Sequence, residues 1–403
     1  MIYALTLGPF ALSYLLSYLL RAVNAVVAPD LVADVGLDAA ELGALTAAYL
    51  LAFAAFQIPL GVLLDRYGPR RVQSALLVVA ALGSALFSIA DSVLTLTAAR
   101  ALIGLGFAGG LMAAFKAVVQ IVPESRRALA NSVIMAFGGL GIVAATQPTE
   151  LAVVAFGWRA VFLWLSLAIL ASATAVFFIV RETPRPDRIV GIGEQLRGVG
   201  QVFADAKFWR VAPVAMLTAG GHLGFQTLWA GPWFRDVAGY DRDRVAASLF
   251  LMGVAFLVGV LLTGVVADWF VRRGTGLLTV MAGFIALYIA SEIPLMMGWT
   301  YLAMPAWFLF AMTGQASILA YPWLSSYFGA GLSGRANTAI NLLIFAFAFL
   351  TQTAIGWVID HFPAGGDGGY DPEAYRLSFV ILLGAQVMGF IWFILGARGL
   401  SRA

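Results

Sequence analysis

The chain contains no cysteine and only two histidines, and charged residues make up 11% of its 403 positions. Without cysteine, neither disulfides nor thiolate metal sites can form, and so few histidines argue against a protein-bound metal. The charged fraction is far below the roughly 25% that is usual in soluble domains, which excludes an ordinary soluble protein. Nucleotide-binding loops and basic tails are also missing. We therefore expect no cofactor, no ATP drive and no nucleic-acid partner.

Apolar residues, by contrast, account for 62% of the sequence and occur in long uncharged runs. Hydrocarbon offers no water to the backbone, so such runs must be helices that satisfy their own hydrogen bonds. The first run has no basic residue before Arg21 and is expected to be retained rather than cleaved as a signal. An all-α membrane protein with twelve transmembrane helices is predicted. The runs lie near 5–28, 40–64, 73–90, 97–121, 129–152, 159–180, 211–231, 246–267, 276–297, 301–324, 337–359 and 376–397.

A short charged hairpin between two apolar runs occurs once in each half. The first copy, GVLLDRYGPRR, begins at Gly61, and the second, GVVADWFVRRG, begins at Gly264, half the chain later. In both copies an aspartate follows four residues on, at Asp65 and Asp268. Internal duplication is a signature of secondary transporters. We expect two pseudo-symmetric six-helix bundles, residues 1–182 and 209–403.

A polar segment at 183–208 joins the two predicted bundles. Its prolines disfavour a helix near RETPRPDR, whereas apolar residues recur at helical spacing from Ile192 to Phe203. This pattern favours a short helix at the inner membrane surface, with a plain linker as the alternative. Most Lys and Arg residues fall on the same side as this linker, which predicts that both termini are cytoplasmic in a cell (inner) membrane.

The hairpin Gly61-x-x-x-Asp65-Arg66-x-Gly68-x-Arg70-Arg71, together with Arg100-x-x-x-Gly104-x-Gly106 in the fourth run, resembles the major facilitator superfamily of secondary transporters. The resemblance covers the whole chain. It implies a monomeric transporter in the lipid bilayer rather than an enzyme, working by alternating access, with the first, fourth, seventh and tenth helices lining a central cavity. The fifth run lacks the glycine-proline motif of this superfamily's drug antiporters, and this absence weighs against a drug exporter.

The hairpin residues are interpreted as a cytoplasmic latch that closes when the cavity faces outward. Glycines permit a sharp turn and close helix approach, and the aspartate can accept hydrogen bonds from arginines. The alternative is an inner-surface loop that merely obeys the charge rule. The predicted gating residues are Gly61, Asp65, Arg66, Gly68 and Arg70, with Asp268 and Arg272 as a weaker copy.

The first run places Tyr14, Tyr18 and Arg21 on one helical face, with Asn24 one turn further. An intramembrane charge is costly and is usually kept for function or for a buried partner. A guanidinium suits a carboxylate or phosphate, and the tyrosines add hydroxyl donors. These four residues are predicted to bind substrate, unless Arg21 pairs with an acid or with helix carbonyls.

The fourth run carries two cations, Arg100 and Lys116. Lys116 lies close enough to the inner end to extend its side chain to the cytoplasmic surface, and otherwise it faces the cavity as a second substrate-binding cation. By resemblance, Arg100 is a helix-packing or coupling residue.

The seventh run shows His222, Gln226 and Trp229 at helical spacing, and the tenth contributes Gln315. All four are candidate substrate contacts. Histidine changes charge between about pH 5 and 8, so His222 is also a coupling candidate. A neutral histidine bonded inside the bundle is the alternative.

The cations of the cavity helices outnumber the buried acids, which are Glu150 and Glu292 near outer ends. An excess of positive charge in a low dielectric favours an anionic substrate. We expect a secondary transporter of a small organic anion, a carboxylate or phosphate ester, driven by proton symport or anion exchange. A proton would travel on His222, on either acid or with the substrate. The alternatives are an exporter of amphiphilic compounds and a receptor built on a transporter scaffold.

Overall fold

The computed structural model describes residues 2–122, 124–180, 192–363 and 369–400, and the regular structure in these ranges is entirely helical. Such helices follow from the apolar runs, whose backbone groups pair within each segment. The α-helices are α1 Ile2–Ala22, α2 Asn24–Val35, α3 Ala39–Ile89, α4 Val93–Phe107, α5 Gly110–Ile121, α6 Glu124–Ala144, α7 Gln147–Phe156, α8 Trp158–Ile179, α9 Ile192–Phe203, α10 Phe208–Ala215, α11 Gly221–Gly224, α12 Ala230–Asp236, α13 Arg242–Arg272, α14 Leu277–Met296, α15 Ala303–Thr313, α16 Ala320–Asp360 and α17 Pro372–Leu400.

Within the described residues, nine helices are long and apolar enough to cross a membrane, and two bent pairs raise the number to eleven. One pair is Leu7–Ala22 with Asn24–Val35, bent by 46°, and the other is Val133–Ala144 with Gln147–Phe156, bent by 45°. The remaining predicted span, near 211–231, is occupied by α10, α11 and α12 with two π-helical segments between them. The predicted all-α membrane protein is confirmed.

Both predicted hairpins turn on a glycine in the left-handed region. Gly68, with φ 79°, is the non-helical residue inside α3, which contains the spans Ala39–Gly61 and Arg66–Ile89. Gly274, with φ 87°, follows α13 in the second copy. A side chain is strained in this conformation, which explains the glycine in each turn.

The chain forms two compact units. Unit 1 comprises Met1–Leu37 and Ala44–Gln195, and unit 2 comprises Asp38–Gly43 and Leu196–Ala403. The start of α3 belongs to unit 2. There the backbone N–H groups of Ala39 and Ala40 donate hydrogen bonds to the Asp360 carboxylate, at 3.0 and 2.8 Å. Such a carboxylate satisfies N–H groups that have no partner within the helix.

In each unit an aspartate at the end of the first predicted span or just after it, on α2 or α12, binds a side chain in the first turn of a later long helix, α8 or α17. In unit 1, Asp34 accepts hydrogen bonds from the indole of Trp158 and the guanidinium of Arg159, both at 2.8 Å. In unit 2, Asp236 accepts from the Tyr375 hydroxyl at 2.7 Å. Trp158 and Tyr375 open the last helix of their unit, so the duplication extends to this contact.

Candidate functional site

Arg21 lies in the last turn of α1, where the first span bends. Its side chain is buried, with 6% of the residue exposed, and its guanidinium faces three aromatic rings. The Cζ atom is 4.5 Å from the ring centre of Tyr18, 5.3 Å from Phe53 and 5.9 Å from Tyr49. A cation at the end of a helix is stabilised by the helix dipole and, here, by the faces of the rings.

Arg100 shares one of these rings. Its Cζ atom lies 5.4 Å from the centre of Tyr49, and its Nη1 donates to the carbonyl oxygen of Leu20 at 2.8 Å. Leu20 immediately precedes Arg21 and belongs to the last turn of α1, whose carbonyl groups lack helical partners. Arg100 therefore secures the bend that carries Arg21, and Tyr49 contacts both cations.

Glycines on α4 allow this arrangement. A Cβ on Gly104 would lie 2.1 Å from the Tyr49 carbonyl oxygen, and one on Gly106 would lie 2.4 Å from the Ala80 nitrogen. The glycines of the second predicted motif therefore bring the α4 backbone into contact with both halves of α3. Close helix approach through small residues is typical of membrane bundles.

The other predicted binding residues of unit 1 differ in their contacts. The Tyr14 hydroxyl donates to Tyr18 at 3.3 Å, whereas the Asn24 amide donates to Thr46 at 2.8 Å and binds two helices together. Lys116 is half-buried on α5, a helix whose Gly110 lies against the Tyr14 ring. Tyr14 and Tyr18 thus join Arg21, while Asn24 is engaged with α3.

His222 of unit 2 is fully buried among aromatic rings. The ring centres of Phe310, Tyr288 and Phe256 lie 4.8, 5.8 and 6.3 Å away. Gly314 makes room for the imidazole, because a Cβ there would lie 2.0 Å from Nδ1. The Gln226 side chain lies beside the imidazole, but neither imidazole nitrogen is in good hydrogen-bond geometry with a described residue.

Two π-helical segments, Met216–Gly220 and Phe225–Trp229, flank His222. A π turn has more residues than an α turn, so side chains that share a face in an ideal helix rotate apart. Trp229 accordingly has other neighbours than His222: its indole donates to the carbonyl oxygen of Gln352 at 3.1 Å. Gln226 is buried in the same segment, and Gln315 is half-buried after α15.

The described hairpin residues form few strong contacts. Arg66 is exposed beside Tyr67, and the Arg70 guanidinium lies 4.8 Å from the ring centre of Phe177. The Asp65 side chain lies outside the described residues. In the second copy, Asp268 pairs with Arg272 of its own helix at 2.8 Å, and both side chains are exposed.

Sequence reasoning missed Tyr49 and Phe53, which contact the Arg21 guanidinium from the second predicted span. Their i, i+4 spacing was an available signal, but the second span is not one of the four helices that the resemblance assigns to the cavity. Among the residues that the structure describes, no group of three or more His, Asp or Glu is placed to bind a metal.

The chain is similar in sequence to a known family of membrane proteins. Residues 10–352 match the sequence model of the Major Facilitator Superfamily. The chain is 28% identical over 294 residues to the probable sulfoacetate transporter SauU of Cupriavidus necator, covering 69% of this chain and 67% of that protein. It is 25% identical over 280 residues to the probable L-galactonate transporter of Escherichia coli, covering 64% of this chain and 60% of that protein.

Among solved structures, the chain is similar to a bacterial homologue of the human lysosomal transporter Spinster in an inward-facing, occupied conformation. The TM-score is 0.73 at 21% identity, and the match covers 97% of this chain and 96% of that one, which shows a shared fold. The family match spans most of the sequence and both units. The chain belongs to the Major Facilitator Superfamily and is a multi-pass secondary transporter, not an enzyme.

Proposed function

We propose that this transporter carries a small organic anion, a carboxylate or phosphate ester, and that Arg21 is the main anchor of the anionic group. The observation that carries the proposal is the burial of the Arg21 guanidinium between Tyr18, Tyr49 and Phe53. A buried guanidinium attracts an anion more strongly than an exposed one, because water screens it less. Its fork of N–H donors also matches two oxygens of a carboxylate or phosphate.

The neighbouring residues have different roles. Tyr14 and Tyr18 supply hydroxyl groups next to Arg21, and Lys116 is a second cation for the substrate. Arg100 holds the backbone beside Arg21 through Leu20, which makes it a positioning residue. In unit 2, Gln226, Trp229 and Gln315 contact the rest of the substrate. Two relatives named above are described as transporters of sulfoacetate and L-galactonate, which are both anions.

The proposed arrangement in the cell is a monomer with both termini in the cytoplasm. The charge distribution of the sequence supports this orientation. The hairpins after the second and eighth predicted spans then lie on the cytoplasmic side, where they act as gates. Transport proceeds by alternating access, with either a proton or a second anion as the coupled species.

Uptake into proteoliposomes tests the anion proposal. The panel contains carboxylates, sugar acids, sulfonates and phosphate esters, together with neutral amphiphilic compounds. We expect wild-type protein to take up at least one anion, Arg21→Ala to lose this uptake, and Arg21→Lys to retain part of it. The control is Arg376→Ala, since Arg376 is exposed and, among the residues that the structure describes, pairs only with Glu373 three residues away.

Two outcomes would overturn the proposal: no anion is carried, or Arg21→Ala carries it as well as wild type does. Uptake of neutral amphiphilic compounds that is insensitive to Arg21→Ala would instead support the exporter alternative.

A further inference from the structure

A buried polar cluster in unit 2 lies outside the residues proposed to bind the anion. It contains Glu292 and Tyr288 of α14, Gln386 of α17 and His222 of α11. Each of these residues is at most 1% exposed. Glu292 lies one turn from the end of α14, whereas His222 lies midway along the run from α10 to α12. The cluster therefore extends from the middle of the helices toward one end.

Direct contacts connect the members of this cluster. The Gln386 amide nitrogen donates to Glu292 Oε1 at 3.1 Å and to the Leu217 carbonyl oxygen at 3.3 Å. The Tyr288 ring meets the His222 ring edge-on at 5.8 Å, and its hydroxyl lies beside Glu292 and Gln386. Tyr288 thus connects the carboxyl group to the imidazole.

The hydrogen-bond inventory of the cluster favours a protonated carboxyl group. Among the described residues, Glu292 Oε2, Tyr288 Oη and Gln386 Oε1 have no partner. An ionised Glu292 can only accept, which leaves the Tyr288 hydroxyl as the remaining donor for two acceptors. A protonated Glu292 adds a second donor and balances the count.

Charge leads to the same conclusion. In the described ranges no Lys or Arg forms an ion pair with Glu292, and the titratable side chain beside it is Tyr288. An isolated carboxylate in such a site costs several kcal/mol unless it is paired. The surroundings of Glu292 therefore suit a carboxyl group that gains and loses a proton.

We propose that Glu292 is a proton-binding site of unit 2, positioned by Gln386 and Tyr288, which takes up the proton that accompanies the anion. The inference rests on the proposed function and selects proton symport over anion exchange. The proton adds to a Glu292 oxygen and leaves from the same atom, so no other bond is made or broken. His222, across the Tyr288 ring, is the other titratable side chain of the cluster.

Two transport assays in proteoliposomes separate proton coupling from substrate movement, using an anion that the wild type carries. Glu292→Gln keeps the shape and a donor but cannot titrate. We expect it to lose accumulation driven by a pH gradient, down to the level without a gradient, while exchange of labelled for unlabelled anion continues. The control Glu373→Gln removes an exposed acid and should accumulate the anion as wild type does.

Infrared spectroscopy of the purified protein tests the site without any substrate. We expect a protonated-carboxyl band that titrates with pH in the wild type and in Glu373→Gln, and that is lost in Glu292→Gln. Gradient-driven accumulation by Glu292→Gln equal to wild type would overturn the inference. So would an unchanged carboxyl spectrum, even if the wild type carried no anion and the proposed function had failed.

Discussion

Arg100 donates a hydrogen bond from Nη1 to the carbonyl oxygen of Leu20, 2.8 Å away. This bond joins the fourth predicted span to the first, at the residue that precedes Arg21. Its geometry makes Arg100 a support for the proposed anion site rather than a part of it. Replacing Arg100 should therefore affect the stability of the protein as well as its transport activity.

Arg100→Met should lower both stability and transport. It leaves the Leu20 carbonyl without its buried donor, a loss of about 1–3 kcal/mol. Arg100→Lys should restore stability in part but orient the α1 bend less well, because a lysine lacks the planar fork. Apparent melting temperature in detergent and the KM and maximal rate of uptake measure the two effects. Wild-type kinetics in Arg100→Met would contradict the positioning role.

Gly104→Ala should destabilise the protein. Its new Cβ would lie 2.1 Å from the Tyr49 carbonyl oxygen, so α4 must move away from α3. Overpacking of this kind costs about 1–3 kcal/mol. Gly283→Ala is the matched control, because a Cβ there meets nothing within 4 Å and alanine favours a helix. Thermal unfolding of both variants in one detergent tests the difference, and equal melting temperatures would refute it.

Asp236→Asn and Tyr375→Phe should both lower stability, and their effects should not add. Tyr375→Phe removes the 2.7 Å hydrogen bond between α12 and α17, and Asp236→Asn removes the negative charge that strengthens this bond. Bonds to a charged group contribute about 1.5–3 kcal/mol. A double-mutant cycle on melting temperature measures the coupling. Full additivity would show that the contact contributes nothing. The Asp34 and Trp158 pair offers the same cycle in unit 1.

Asp268→Asn should leave stability nearly unchanged, since an exposed i,i+4 pair contributes only about 0.3–0.5 kcal/mol. Transport should slow less in this variant than in Asp65→Asn, because the second hairpin lacks the arginine beside its aspartate. Initial rates of uptake, corrected for the amount of reconstituted protein, test the order. A larger loss in Asp268→Asn would reverse the assignment of the stronger gate.

Much of the architecture was predictable from local sequence. Helical runs, the Gly68 and Gly274 turns and the glycines at 104 and 106 depend on short-range sterics and on the exclusion of water from hydrocarbon. The burial of Arg21 was predictable for the same reason, since a charge in an apolar run must lie inside the bundle.

The register of the seventh predicted span was not predictable in this way. Gln352 and Gln386 donate to the carbonyl oxygens of Gly224 and Leu217, which lie at the π-helical segments, at 3.4 and 3.3 Å. Those amides come from helices more than a hundred residues away in sequence, so no local window contains the cause. These tertiary contacts accompany two π-helical segments, which the helical periodicity of the sequence does not predict.

The aspartate contacts that join first and last helices also affect biogenesis. Asp34 is separated from Trp158 by 124 residues, and Asp236 from Tyr375 by 139. Neither contact can form until the last predicted span of its half has been synthesised and inserted. The formation of this contact is therefore the last step in the assembly of each half. Because synthesis is sequential, the first unit can form its Asp34–Trp158 contact while the second unit is still being translated. Truncation just before Trp158 should then leave five inserted helices in a protease-sensitive state.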